Sequence, residues 1–326
     1  MNHPRTAAAA LAALVALSLS ACNRETAEPG AAGTGEGPCS GVTLGLAVAN
    51  LQADFFNQIK QSVDAEAAEL GATVRVSDAG GDSATQVNQI QDFITRQVDA
   101  IIYIPAGATA AGVPVRAAQE ADIPVVAVDR NAPDAPADTF IATDSVAAAR
   151  TLGDYVVEQT GGQAKLAILQ GQIGTTPQVD RQTGFEEALQ DAPGIEVVAQ
   201  QPADWAQDKA FAVAQDMLQA HPDITAFWGQ ADAMALGAAQ AVSNANLPQD
   251  MLIVGFDGDF AGLEAVRDGE VDATMVQQTQ EMGRLAVRSA CDFVAGNEVP
   301  EEQLQEAFLL TKDEPDKAQE YIDEHP

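Results

Sequence analysis

Pro124-Val125-Val126-Ala127-Val128-Asp129-Arg130 sets four consecutive apolar residues between a proline and a charged pair. The run does not alternate, so both of its faces are apolar. Such a strand belongs inside a parallel sheet with helices on each side. Residues 99–105 (DAIIYIP) read the same way. Working outward, residues 42–49 and 73–77 read as strands. Phe55, Ile59, Val63 and Ala67 recur between them at helical spacing, and Gly71 stops that helix. Val87, Ile90, Phe93 and Ile94 mark the next helix. Further strands are predicted at 165–170, 195–200, 224–228, 252–257 and 273–277. Strands alternating with helices predict an α/β fold built on doubly wound parallel sheets.

The pattern repeats faintly. Asp99-Ala100-Ile101-Ile102-Tyr103 is echoed about 124 positions later by Asp223-Ile224-Thr225-Ala226-Phe227. Val126-Ala127-Val128-Asp129 and Ile253-Val254-Gly255-Phe256-Asp257 keep nearly that separation. Two similar lobes in tandem are expected, and 326 residues suffice for two cores.

Hydrophobic residues make up 46% of the chain, and 48 acidic against 16 basic residues give a formal charge of −32. That apolar content excludes a disordered acidic tail, and the charge excludes a nucleic-acid binder, which a duplex would repel. Docking on an anionic bilayer through basic residues is equally disfavoured. Arg5 precedes an uncharged apolar run at 7–19, too short to span a bilayer and suited to a signal peptide over residues 1–21. The run ends in Leu19-Ser20-Ala21-Cys22, which resembles a bacterial lipobox and makes Cys22 the expected lipidated mature N-terminus. Residues 22–40, rich in Gly, Ala, Pro and Glu, read as a flexible tether. Gly33-Thr34-Gly35-Glu36-Gly37 precedes the first strand instead of following one, which argues against a phosphate loop. An exported chain is free to form disulfides, so Cys39 and Cys291 either pair or remain as two thiols. With histidine only at positions 3, 221 and 325 there is no Cys/His cluster, and neither a metal nor a cofactor is expected.

Ligands of doubly wound sheets sit beyond the carboxyl ends of the strands. Those ends hold Phe55 and Phe56, Asp129-Arg130, Arg181, Trp205, Asp257 and Gln277. Aromatic faces suit the C–H face of a sugar, while carboxylates and guanidiniums suit vicinal hydroxyls. Each residue alone has a bland reading: a turn aspartate, a core phenylalanine, a surface arginine, a lid tryptophan. Together they share one end of every strand, and both lobes contribute.

These residues carry a resemblance. Asp54-Phe55-Phe56, Val128-Asp129-Arg130, Gly184-Phe185 after Arg181, the run from Gln200 to Trp205, the run from Asp232 to Gly237, and Val254-Gly255-Phe256-Asp257-Gly258 resemble the periplasmic ribose-binding proteins, which belong to the type I sugar-binding proteins of ABC transporters. The likeness runs from about 42 to 310. It implies two lobes joined by a hinge of three crossovers, near 143–144, 277–279 and 306–308. One lobe would comprise 41–143 and 278–306, the other 144–277 and 307–326. The resemblance implies that a sugar stacks between Phe55, Phe56 and Trp205 and hydrogen-bonds Asp129, Arg130, Arg181, Asp257 and Gln277. Ala53 and Ala231 stand where the ribose binders carry asparagine, so a ligand other than ribose is expected, unless Gln52 and Gln230 swing in to replace the lost amides.

The resulting expectation is a monomeric, exported, lipid-anchored receptor for a monosaccharide or polyol, at the periplasmic or cell-surface face of a bacterial membrane. It would serve an ABC permease with a separate ATPase, since the chain has no Gly-rich Lys-Ser/Thr loop. A sugar hydrolase using Asp129 and Asp257 competes with this reading. Against it, the neighbouring cations are expected to keep both carboxylates ionised. A ligand-loaded partner for a sensor or chemotaxis receptor would use the same pocket.

Overall fold

The computed structural model describes residues 37–245 and 251–324. The apolar run at 7–19, Cys22 and the tether up to residue 36 lie outside them. The first part of the chain forms β1 (Thr43–Val48), α1 (Asp54–Leu70), β2 (Thr73–Asp78), α2 (Ser83–Thr95), β3 (Ala100–Tyr103), α3 (Gly112–Gln119), β4 (Val125–Val128) and β5 (Thr139–Thr143). Next come α4 (Ser145–Gln159), β6 (Ala164–Gln170), α5 (Thr176–Leu189), β7 (Ile195–Pro202), α6 (Gln207–Ala220), β8 (Ala226–Gly229) and α7 (Asp232–Ala245). The last part holds β9 (Leu252–Asp257), α8 (Phe260–Asp268), β10 (Ala273–Val276), α9 (Thr279–Ala295), β11 (Glu302–Gln305), β12 (Phe308–Thr311) and α10 (Pro315–Glu324).

Two six-stranded sheets result, in the orders β11-β5-β4-β3-β1-β2 and β12-β10-β9-β8-β6-β7. Every pairing of the first is parallel. The second is parallel except for its edge, where β12 runs antiparallel to β10. The non-alternating strands β3, β4, β8 and β10 are buried along their whole length, as helices on both faces require. Local signals set the helix ends. Asp82, Asp144 and Asp259 accept a backbone N–H three residues on, capping α2, α4 and α8. Gly71 ends α1 in the left-handed region.

The chain passes between the sheets three times: after β5, between β10 and α9, and between β11 and β12. Helix α9 packs on α1, β3 and β4, so it covers the first sheet although it follows the second in sequence. The first lobe's core gathers Leu44, Leu46, Ile59, Ile102, Val126 and Met282. The second has a core on each face of its sheet. One is built on Phe227, Met234 and Ile253, the other on Phe256 and on Phe185 stacked 3.8 Å from Trp228.

Two features extend the sequence reading. Strands β5, β11 and β12 are additional to those expected. The tether expected through residue 40 ends earlier. Cys39 is buried, its N–H bonds Leu70 O at 3.0 Å, and it is joined to Cys291 on α9 by a disulfide with Cα atoms 5.8 Å apart. Gly37 approaches the end of α1 so closely that a Cβ there would lie 2.1 Å from Leu70 O. Among the described residues no helix is long and apolar enough to cross a membrane.

Candidate functional site

The carboxyl ends of both sheets face one cavity of about 780 Å3, within the range of small-molecule sites. Its wall includes Phe55, Phe56, Asp129 and Arg130 from the first lobe and Arg181, Trp205 and Asp257 from the second. Loops from the two sides touch around it: Asn131 N–H donates to Thr176 Oγ1 at 2.9 Å, and Phe260 N–H to Asp54 Oδ2 at 3.4 Å.

Each side chain is aimed by its backbone. Asp129 follows β4 at φ 62°, and Arg130 N–H reaches back to Val128 O at 2.6 Å in a tight three-residue turn. Asp204 (φ 51°), Trp205 (φ 66°) and Asp257 (φ 132°) are held in similarly unfavourable backbone. Strain of this kind costs on the order of 1–3 kcal/mol per residue and persists where packing over-determines it. Gly171 lies under Trp205; a Cβ there would come 2.0 Å from the indole. The ring owes its position to that missing side chain.

The charges form two buried pairs. Arg130 Nε lies 3.3 Å from Asp129 Oδ2, and Arg130 Nη1 donates to Pro105 O at 3.1 Å. Arg181 Nη1 donates to Asp257 Oδ1 at 3.0 Å and to Gln230 O at 2.5 Å. Arg181 also stacks 3.9 Å from the Phe256 ring, while Arg130 sits 5.1 Å from Phe56 and 5.8 Å from Trp205. Among the described residues, Arg181 Nε and Trp205 Nε1 are buried without a hydrogen-bond partner.

Burial raises the pKa of Asp129, with Arg130 and Arg181 opposing the shift. Burial also lowers that of Arg130, opposed by the Asp129 charge. Asp257 is pushed up to about 7 by burial, which outweighs the opposing Arg181 charge. For Asp257 the expectation that an adjacent cation keeps the carboxylate fully ionised is therefore corrected, because desolvation outweighs the Arg181 charge; for Asp129 the two cations oppose the same upward push.

Most expected residues meet at the cavity. Phe55 and Phe56 are both part of the core and both on its wall, 5.3 Å apart edge to face. Ala53 and Ala231 line it as well. Gln277 is not among the wall residues but lies directly behind one of them. Its Oε1 accepts from Thr143 and its Nε2 donates to Asp257 Oδ1 at 2.7 Å, so its amide orients Asp257 from behind. Gln230 does not swing toward the gap at Ala231: it is buried, accepting from Gly171 N–H and donating to Gln182. Gln52, in contrast, is exposed on the cavity wall. Asn50, Asp54, Gln172 and Asp259 also line the cavity without having been singled out as contacts. Asp259 was hidden because an N-cap aspartate needs no further explanation. Among the described residues no group of His, Cys, Asp or Glu could hold a metal ion.

The comparisons with known proteins agree with this geometry. The periplasmic binding protein domain matches residues 44–298. The chain belongs to the periplasmic binding protein family. This periplasmic binding protein is 34% identical over 257 residues to the ribose import binding protein RbsB of Bacillus subtilis, covering 79% of this chain and 83% of that one. It is 31% identical over 322 residues to a xylitol-binding protein of Mycolicibacterium smegmatis, covering 97% and 88%. Among solved structures, a solute-binding protein of an ABC transporter from Bacillus halodurans with bound myo-inositol superposes with a TM-score of 0.80 at 28% identity, covering 87% of this chain and 98% of that one. These relatives are binding proteins, not enzymes, and the periplasmic binding protein shares their architecture of two α/β lobes with largely parallel sheets.

Proposed function

We propose that this chain is the substrate-binding protein of an ABC sugar importer, taking up a monosaccharide or polyol in the cavity between its lobes. The observation that carries the reading is the pair of buried carboxylate–guanidinium contacts, Asp129–Arg130 and Asp257–Arg181, supplied by opposite lobes onto one aromatic-lined cavity. Such pairs offer vicinal hydroxyls both donors and acceptors, and the Phe55, Phe56 and Trp205 rings offer stacking faces. Ligand contacts from both lobes favour the closed form, with the three crossing segments as the hinge. A permease, driven by a separate ATPase, recognises that form. The protein works as a monomer, exported and tethered by lipid on Cys22.

Calorimetric titration against pentoses, hexoses and cyclitols tests the binding reading. At 100 times its Kd a true ligand raises stability by about 2.7 kcal/mol. No heat and no thermal shift from any of them refutes it. The tether is tested separately: Cys22→Ser releases the protein from membranes or leaves its signal uncleaved, and a native N-terminus elsewhere without acyl mass refutes it.

A further inference from the structure

Asp232, the first residue of α7, is a buried carboxylate that the proposed function leaves unused. It is not part of the cavity wall. Its Oδ2 accepts Gly258 N–H at 2.8 Å and Asp259 N–H at 3.2 Å, and its Oδ1 accepts the Thr274 hydroxyl at 2.6 Å. Two glycines make room for it. A Cβ on Gly255 would lie 2.3 Å from Oδ1, and one on Gly262 2.1 Å from Oδ2. A buried carboxylate is tolerated where hydrogen bonds replace its water. Two of the bonds here go to the backbone beside the ligand site.

The gripped N–H groups belong to the two residues that follow Asp257. Asp257 is held at φ 132°, a conformation that persists only where its surroundings over-determine it. Freed of the grip, this loop would relax and carry the Asp257 carboxylate away from Arg181. Two positions before Asp232, Gln230 O accepts from Arg181 Nη1, the same atom that donates to Asp257 Oδ1. Residues 230–232 therefore hold both partners of the pair. They hold the guanidinium through a carbonyl and the carboxylate through the backbone that follows it.

Resting on the sugar-binding reading above, we propose that Asp232 is a positioning residue of the ligand site. It stays clear of the ligand and sets where the Asp257 carboxylate stands by gripping the loop between β9 and α8. The grip needs an acceptor, not a charge. Burial, with the charges of Asp259 and Asp257, raises the pKa of Asp232 well above its ordinary value. A protonated Asp232 donates to Thr274 while its other oxygen keeps the two N–H groups. An asparagine side chain has the same layout of donor and acceptor.

The test uses the full chain and two readouts. One is calorimetric affinity for whichever of ribose, xylitol and myo-inositol the parent binds tightest. The other is an NMR titration of the Asp257 carboxyl in ligand-free protein, which burial holds at about 7 in the parent. The charged groups facing Asp257 are Arg181, Asp259 and Asp129, and every variant retains them.

Asp232→Ala is expected to lose affinity tenfold or more, with the Asp257 pKa falling toward the ordinary carboxylate range as the group leaves its buried seat. Gly262→Ala should do the same, because its methyl displaces the Asp232 carboxylate without removing it. Asp232→Asn should keep affinity within threefold. Thr274→Val removes the third bond but not the grip, so it should melt lower while keeping its affinity and its Asp257 titration. An Asp257 titration unmoved in Gly262→Ala overturns the inference, even if Asp232→Ala fails to fold. So does a tenfold loss in Asp232→Asn, or a loss in Thr274→Val as large as in Asp232→Ala. If the parent binds none of the three compounds, the fault lies with the sugar-binding reading, and the titration still decides the role of Asp232.

Discussion

Arg181 Nη1 lies 3.0 Å from Asp257 Oδ1, and the guanidinium is only 3% exposed. The contact joins α5 to the end of β9 within one lobe, so the pair is formed and desolvated before the ligand contributes anything.

Removing one partner therefore acts on folding as well as on binding. Asp257→Ala leaves a buried guanidinium without its counter-ion, a loss of about 3–5 kcal/mol. Its ligand-free melting temperature should fall clearly. Asp257→Asn keeps the shape and an acceptor for Arg181, so its melting temperature should stay within a few degrees while affinity falls by about 2–5 kcal/mol. Calorimetry beside thermal melts checks both. Affinity within threefold of the parent in Asp257→Asn places the site elsewhere.

Stability should also depend on pH in an unusual direction. The folded pKa values of Asp257 (about 7) and Asp259 (about 6) lie above the ordinary value of 3.8. The folded state therefore binds more protons than the unfolded one. The contribution of these groups is complete below about pH 4 and is lost as pH rises through 6 and 7. Ligand-free protein should melt higher at pH 5.5 than at pH 8, and Asp257→Asn should flatten that slope. An unchanged slope in the variant would assign the dependence to other groups.

Ribose should not be the preferred ligand. Restoring the amides, in an Ala53→Asn, Ala231→Asn double variant, should gain at least tenfold for ribose. The structure gives Gln230 other partners, so it leaves the gap at Ala231 unfilled. Ribose binding to the parent protein tenfold tighter than every hexose, deoxy sugar and cyclitol tried would refute this prediction.

Much of the fold was legible because its central strands are buried on both faces, and residues 99–105 and 124–130 cannot be mistaken for half-exposed strands. The strands that went unread are short edges or near-edges. β11, Glu302-Gln303-Leu304-Gln305, is polar because it borders the first sheet, and β12 is a four-residue antiparallel edge. Neither produces a sustained periodic pattern. In the site, Asp129 and Asp257 were readable from their places directly after strands. The supporting role of Gln277 was not, because it depends on Thr143, which lies 134 positions away in the chain. The ionisation of Asp257 was misjudged for a related reason: a neighbouring cation is visible in sequence, whereas the depth of burial is not.

The disulfide should be worth about 2–5 kcal/mol. Urea unfolding of Cys39→Ser, Cys291→Ser protein against the oxidised parent measures it, and equal midpoints would make the bridge dispensable.

The order in which the two sheets are completed bears on biogenesis. The first sheet needs β11, the helix covering it is α9, and the bridge from Cys39 waits for Cys291. All three arrive in roughly the last seventh of the chain, after the second sheet's parallel strands have been made. A nascent chain therefore cannot finish the lobe it began until synthesis is almost over. Contacts this distant in sequence also form slowly. The interleaving thus makes completion of the first lobe wait on the chain's final segments.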